Sequence, residues 1–275
     1  MKNISCTNLA RFLLLNKAEF LFGLKVTMST IPNAPVHRAG TVMLSMQESL
    51  WPQLSGVADN MSNSKTKGFK RFITQTKSVD YTTPGKDTVS YANTRSSIDF
   101  SQGSLEETGN KFDLGISGAG FLTFRTQDKS TVYSRDGQLS LNSRGALVNN
   151  LGDTLLGDGG SEILIPATAK DIEFAEDGTI SVDEKVIAKI GLTNFEDKSR
   201  LTFIGNGYFT TDVKGKPVDT PSIWQGFAEA SNVNPINEAL KLVEMARNFE
   251  NAQKILEDDA KRQSKAINTS STNNV

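Results

Sequence analysis

Each end of this chain carries an apolar stripe at helical spacing, and the stretch between them is Gly-rich and strand-like. Met43, Met46, Leu50, Leu54, Val57 and Met61 recur every three or four residues, which is one face of a helix. Near the other end Leu242, Met245, Phe249, Ala252 and Leu256 repeat the pattern as a coiled-coil-like seam. Two such stripes with no helical partner between them must pair with each other or pack on neighbouring molecules. The seam alone cannot hold its helix, so both ends are expected to become ordered on assembly.

The signals at the helix ends differ in kind. Asn234-Pro235 supplies a cap followed by proline at the first helical position, where the missing N–H does no harm. Pro52 lies inside the first stripe, where proline costs about 3 kcal/mol, so a kink or a late helix start is expected there.

Between the stripes, residues 63–104 are dense in Ser, Thr, Asn and Lys, with isolated aromatics, and read as an extended connector. From 105 to 228, short apolar runs are punctuated by turn sequences. Asp136-Gly137 follows TVYSR, Asn142 to Gly145 follows QLSL, and Asp177-Gly178 divides IEFAE from TISV. The fold class that follows is mainly β with terminal α-helices: a discontinuous helical coiled-coil domain from both termini (41–62 with 233–267) plus a central all-β domain. Residues 268–275 read as a disordered tail.

Composition removes several chemistries. Thirty basic against 31 acidic residues leave no broad electrostatic footprint for nucleic acid or an anionic membrane. Cys6 is the single cysteine and His37 the single histidine, which excludes an internal disulfide, a structural zinc site and Ser-His-Asp or Cys-His catalysis. GISGAG at 115–120 runs into FLTF, a strand, and lacks the spacing of a phosphate-cradling loop. Asp136, Asp158 and Asp177 each precede glycine, as turn residues do, and Asp171, Glu173, Glu176 and Asp177 do not fit calcium-loop spacing. No catalytic residue, cofactor or metal is expected.

The first 27 residues contain FLLLNKAEFLFGL, apolar but interrupted by Asn16, Lys17 and Glu19. Its uninterrupted run is too short for a membrane span or a secretory signal core. Residues 1–40 are therefore expected to be an extension, with Met28 or Met43 as the true start and a weak amphipathic leader as the second choice.

Three motifs in order resemble the flagellar rod, hook and hook–filament junction axial proteins. VADNMSNSKTKGFK is similar to the segment that ends the first helix in that family, with Asn60, Asn63, Gly68, Phe69 and Lys70 in matching places and departures at Asp59, Ser64 and Lys65. GISGAGFLTF, VYSRDGQLSLNSRGALV, LLGDGG and DIEFAEDGTISV resemble its β domain. GFAEASNVNPINEALKLVEMARNFENAQKIL is similar to its last helix, with Ser231, Asn232, Val233 and Arg247 to Glu250 in register.

The resemblance implies a structural subunit of the basal-body rod, without enzymatic activity or cofactor, whose terminal helices assemble with copies of itself and other rod proteins into the shaft that transmits motor torque. It implies placement in the periplasmic rod and export through the flagellar type III apparatus without a cleaved signal peptide, with no nucleic-acid partner and no membrane span. Met46, Leu50, Leu54, Val57, Leu242, Met245, Phe249 and Leu256 are the expected assembly residues, with Asn60, Asn63, Gly68, Phe69, Asn232 and Asn234 as the motif residues around them. A distal-rod or hook protein is the alternative within the family; a secreted β-rich binding or adhesion module is the alternative outside it.

Overall fold

The computed structural model describes residues 37–82 and 88–272. The chain divides into units 1–38 and 39–275, and all but His37 and Arg38 of the first unit lie outside the described residues, as do the expected leader and the candidate start Met28.

Helix α1 spans His37–Ser62 and runs through Pro52, so the helix does not start late. Pro52 has no N–H to give the Glu48 carbonyl one turn back, and the helix is held instead by contacts on the neighbouring residue. The Ser49 carbonyl accepts from Gln53 Nε2 at 3.0 Å and from Thr94 Oγ1 at 3.2 Å.

Residues 63–104 hold a hairpin of β1 (Phe72–Thr82) and β2 (Thr88–Ile98), paired antiparallel from Phe72↔Ile98 outward. It lies on α1 through polar contacts: Gln53 Nε2 donates to Thr76 Oγ1 at 3.1 Å, and the Ala92 N–H donates to Ser45 Oγ at 3.4 Å. Phe72 and Ile98 anchor its base in an aromatic cluster, and beyond them Thr and Ser recur on a largely exposed ribbon.

The β region opens with β3 (Leu105–Glu107), β4 (Leu114–Ile116), β5 (Phe121–Arg125), β6 (Thr131–Ser134), β7 (Leu139–Leu141), β8 (Leu147–Asn149) and β9 (Thr154–Leu155). It continues with β10 (Ile172–Phe174), β11 (Thr179–Val182), β12 (Lys185–Lys189), β13 (Leu192–Asn194), β14 (Thr202–Gly205) and β15 (Tyr208–Thr210), and closes with β16 (Lys216–Pro217), β17 (Ile223–Gln225) and β18 (Phe227–Glu229). The main sheet runs in the order β14-β15-β6-β5-β9-β8-β7, with β13 on the other part of β5 and β16 on β13. β10-β11-β12 form a separate meander; β17 pairs with β4 and β18 with β3.

Asp136-Gly137 falls between β6 and β7, and Asp177-Gly178 between β10 and β11. Leu114, Leu122, Phe124, Leu147, Leu155, Ile180 and Ile223 fill the main core. A second, aromatic core joins Phe121, Phe195, Leu201 and Phe209, with Ile98, Phe100 and Phe203 packed against it. β18 leads into helix α2 (Pro235–Thr272), which runs past the boundary at 267 drawn from the sequence. Ala260 to Ala266 is rich in Lys, Arg, Gln and Ala, which suit a helix, whereas Asn268 to Thr272 at its very end are Asn, Ser and Thr, which do not favour one. Among the described residues no helix is long and apolar enough to cross a membrane, and no cluster of His, Cys, Asp or Glu has the makings of a metal site.

Candidate functional site

The end of α1 and the start of α2 meet at one joint on the β region, built from the GFK and EASN segments. Asn60, buried on the last turns of α1, acts as a substitute strand: its Oδ1 accepts from the Phe72 N–H at 2.7 Å, and its Nδ2 donates to the Phe72 carbonyl at 2.8 Å. The same Nδ2 reaches Glu238 Oε2 on α2 at 3.3 Å, so one amide touches both helices and the hairpin.

Asn232 does the corresponding work on the other strand of chain. Its Oδ1 accepts from the Arg71 N–H at 2.7 Å, and its Nδ2 donates to the carbonyls of Asp99 at 2.9 Å and Ser101 at 3.0 Å. Two asparagines thus occupy donors and acceptors of chain that has no ladder partner there. Asn63 closes the end of α1, donating to the Asp59 carbonyl at 2.9 Å, and Asn234 caps α2 by accepting from the Ile236 N–H at 3.0 Å.

Under these amides lies a buried group of charges. Glu229, on β18, accepts from Lys70 Nζ at 2.5 Å and from the Gly103 N–H at 2.9 Å, and its second oxygen faces Arg135 Nη1 at 3.4 Å. Lys70 also donates to the Ser101 carbonyl at 2.8 Å; Arg135 donates to the Gly118 carbonyl at 2.5 Å and lies over the Phe121 ring, 5.5 Å from its centroid. All three side chains are almost fully buried. Burial pulls both Lys70 and Arg135 below their ordinary ranges, and the Glu229 carboxylate opposes that. An aromatic layer backs the charges: Phe69 meets Phe72 and Phe203 edge-on at 5.9 and 6.1 Å.

Asp136 sits where the Gly68 turn presses on β6–β7. Burial first, and then the Asp113 carboxylate, push its carboxyl up to about 6, against the Gln138 N–H and Lys67. A carboxyl whose folded value lies above its unfolded one costs no stability below about pH 4 and destabilises the fold as pH rises through 6. Asp136→Asn is therefore expected to raise stability at pH 7.5 by on the order of 2–3 kcal/mol and to leave it unchanged near pH 3.5. Thermal melts of both proteins across that range are the check; a gain that does not vary with pH would mean that ionisation is not the cause.

The apolar assembly residues fall elsewhere. Val57 is buried and Met245 half-buried on the walls of one cleft of about 170 Å³, shared with Phe72, Ile73 and Glu238. Leu50 and Leu256 are half-buried, Ala252 is buried, and Met46, Leu54, Leu242 and Phe249 remain exposed. The described contacts do not show a coiled coil along the full seam. Glu229, Arg135 and Glu238 were absent from the sequence expectations because charged residues in short motifs read as surface. The signal that could have found Glu229 is its place between Ala228 and Ala230 at the end of an apolar strand.

Comparison with known proteins matches two stretches of the chain. Residues 115–182 match the family described as the flagellar hook protein FlgE/F/G D1 domain, and residues 225–272 match the flagellar basal body rod FlgEFG protein C-terminal family. The flagellar basal-body rod protein FlgF of Caulobacter vibrioides is 33% identical over 233 residues, covering 82% of this chain and 95% of that protein. FlgF of Mesorhizobium japonicum is 34% identical over 233 residues, covering 83% and 95%. The basal-body rod protein FlgG of Buchnera aphidicola subsp. Schizaphis graminum is 29% identical over 250 residues, covering 74% and 93%.

Proposed function

This chain belongs to the FlgE/F/G family of flagellar rod and hook proteins and is a structural subunit of the basal-body rod; from that premise we propose that its two terminal helices are the assembling element and the β region the layer they carry. The observation behind this is the apolar surface left uncovered on both helices. On α2, Ile236 is 70% exposed, Leu240 64%, Val243 51% and Phe249 37%, and on α1 Trp51 is 64% exposed. Packed side by side with copies of itself and with other rod proteins, these faces form a dry inner tube whose heterologous contacts propagate along a helical shaft. The buried joint then carries load from helices to β region without a soft linker between them, which is what torque transmission demands.

In this reading the protein reaches the periplasmic rod through the flagellar type III export apparatus, and it works without a cofactor. A place in the proximal part of the rod is favoured over a distal-rod or hook position by the three FlgF relatives above 30% identity. Nothing in the comparisons favours an adhesive module. Phe249→Asp tests the helix faces: the β region is expected to stay folded while the protein disappears from purified hook–basal bodies and the cells stop swimming. Normal motility with the variant in the rod would remove α2 from the assembling surface.

A further inference from the structure

The β region carries two charged features of opposite sign that do not meet within the chain. One is a cleft of about 410 Å³ where Arg125 at the end of β5, Lys129 in the β5–β6 turn and Arg144 in the β7–β8 turn converge, with Glu162 as its single carboxylate. Glu162 faces Arg125 at 3.5 Å, whereas the Lys129 and Arg144 side chains have no partner among the described residues. Lys129 is held in place by its turn, at φ 62° with its N–H on the Thr126 carbonyl at 2.9 Å. Asp128, in the same turn, does not line the cleft.

The other feature is the β10–β11 hairpin with the turn that follows it. Residues 171–184 contain Asp171, Glu173, Glu176, Asp177, Asp183 and Glu184 and no basic residue, and all six carboxylates are exposed. Lys111 and Lys189 approach Asp171 and Asp177 at 3.4 and 3.6 Å; Glu173 and Glu184 have no side-chain partner among the described residues.

Each feature also borders exposed apolar side chains. Leu164 is 57% exposed and its strand segment bridges Ala146, beside Arg144; Val186 is 69% exposed on β12, the open edge of the acidic meander. A charged centre of one sign with an apolar margin, matched by its opposite on the same chain, is the composition of a heterologous contact between identical subunits.

We propose that the acidic β10–β11 hairpin of one copy seats in the basic cleft of a neighbouring copy, tying β regions together outside the helical tube. This rests on the reading that copies of the chain assemble. It adds a second, salt-sensitive contact to the apolar one between helices, and the partner it selects is another copy of this chain.

The test mixes full-length protein made with ¹⁴N and with ¹⁵N, measures self-association by sedimentation velocity, and treats the mixture with a carbodiimide, which condenses an amine and a carboxylate to an amide with loss of water. Expected are mixed-isotope peptides joining Lys129 to Glu173 or Glu184, suppressed by high salt. Arg144→Glu and Glu173→Lys are each expected to weaken association about tenfold, and a mixture of the two variants is expected to recover most of the loss. Undiminished association in both variants, with no mixed-isotope coupling at Lys129, overturns this contact and leaves helix-driven assembly standing. If neither association nor coupling occurs at any concentration, helix-driven assembly falls with it.

Discussion

Glu229→Ala is expected to lower the stability of the chain by roughly 3–5 kcal/mol, the range for breaking a buried pair by removing one partner. The reason is what it leaves behind. Lys70 keeps the Ser101 carbonyl and Arg135 keeps the Gly118 carbonyl, but two cations then share a pocket that excludes water, and the Gly103 N–H loses its acceptor. For a domain of this size each kcal/mol moves the melting temperature by about 2–4 °C, so a fall of roughly 6–20 °C is expected in a thermal melt.

Glu229→Gln separates charge from shape. It retains an oxygen for the Gly103 N–H and is expected to fall between wild type and alanine. Lys70→Met combined with Glu229→Gln should cost less than the sum of the two single changes, because only one of the two uncompensated cations, Arg135, then remains. Additive losses in that cycle, or an alanine variant that melts within a degree or two of wild type, would show that the three charges do not stabilise the joint as a unit.

The helical ends and the turns were legible because their signals are local. Three-and-four spacing, Asn234-Pro235 and the Asp-Gly pairs each depend on a few consecutive residues. Strand pairing was not. β4 and β8 are three residues long and buried throughout, so they show no alternation to give a register, and β5 takes β6, β9 and β13 as partners. The β1–β2 hairpin was hidden for the opposite reason: Ser and Thr on both faces give no apolar alternation, and the segment read only as extended chain.

At the joint, Asn60, Gly68, Phe69 and Asn232 were picked out by motif, yet the motif alone could not say that they converge. Their contacts span 12 residues in one case and more than 130 in others. The helix faces were legible as stripes, but which positions stay uncovered in one chain depends on tertiary packing that a stripe does not encode. Pro52 misled because the local rule counts only the bond lost to the Glu48 carbonyl and ignores tertiary contacts, here Thr94 on the Ser49 carbonyl and Gln53 on Thr76, which hold the helix against the hairpin.

Gly68→Ala is the second large effect expected, and it isolates the close approach of backbones on which the joint depends. Gly68 has φ +69°, a conformation that costs an L-residue about 1–2 kcal/mol by itself. A Cβ there would stand 2.3 Å from the Asp136 nitrogen and 2.5 Å from the Arg135 carbonyl carbon, both backbone atoms that cannot rotate aside. To make room, the turn must withdraw from β6–β7. That stretches the Gly68 N–H contact to the Glu229 carbonyl, now 2.8 Å, and drags Phe69 from its aromatic partners. Strain and overpacking together should cost roughly 3–5 kcal/mol. Gly109 supplies the control: its φ is +73°, nearly the same, but nothing lies within 4 Å of its Cβ position. Gly109→Ala is expected to cost only about 1 kcal/mol. Equal losses from the two substitutions in parallel melts would mean that the Gly68 turn and β6–β7 are free to separate, and that the joint is looser than its contacts imply; a gap of several degrees, with amide exchange at Phe69 and Lys70 accelerated only in Gly68→Ala, would establish the close approach as the feature that locks helices to the β region.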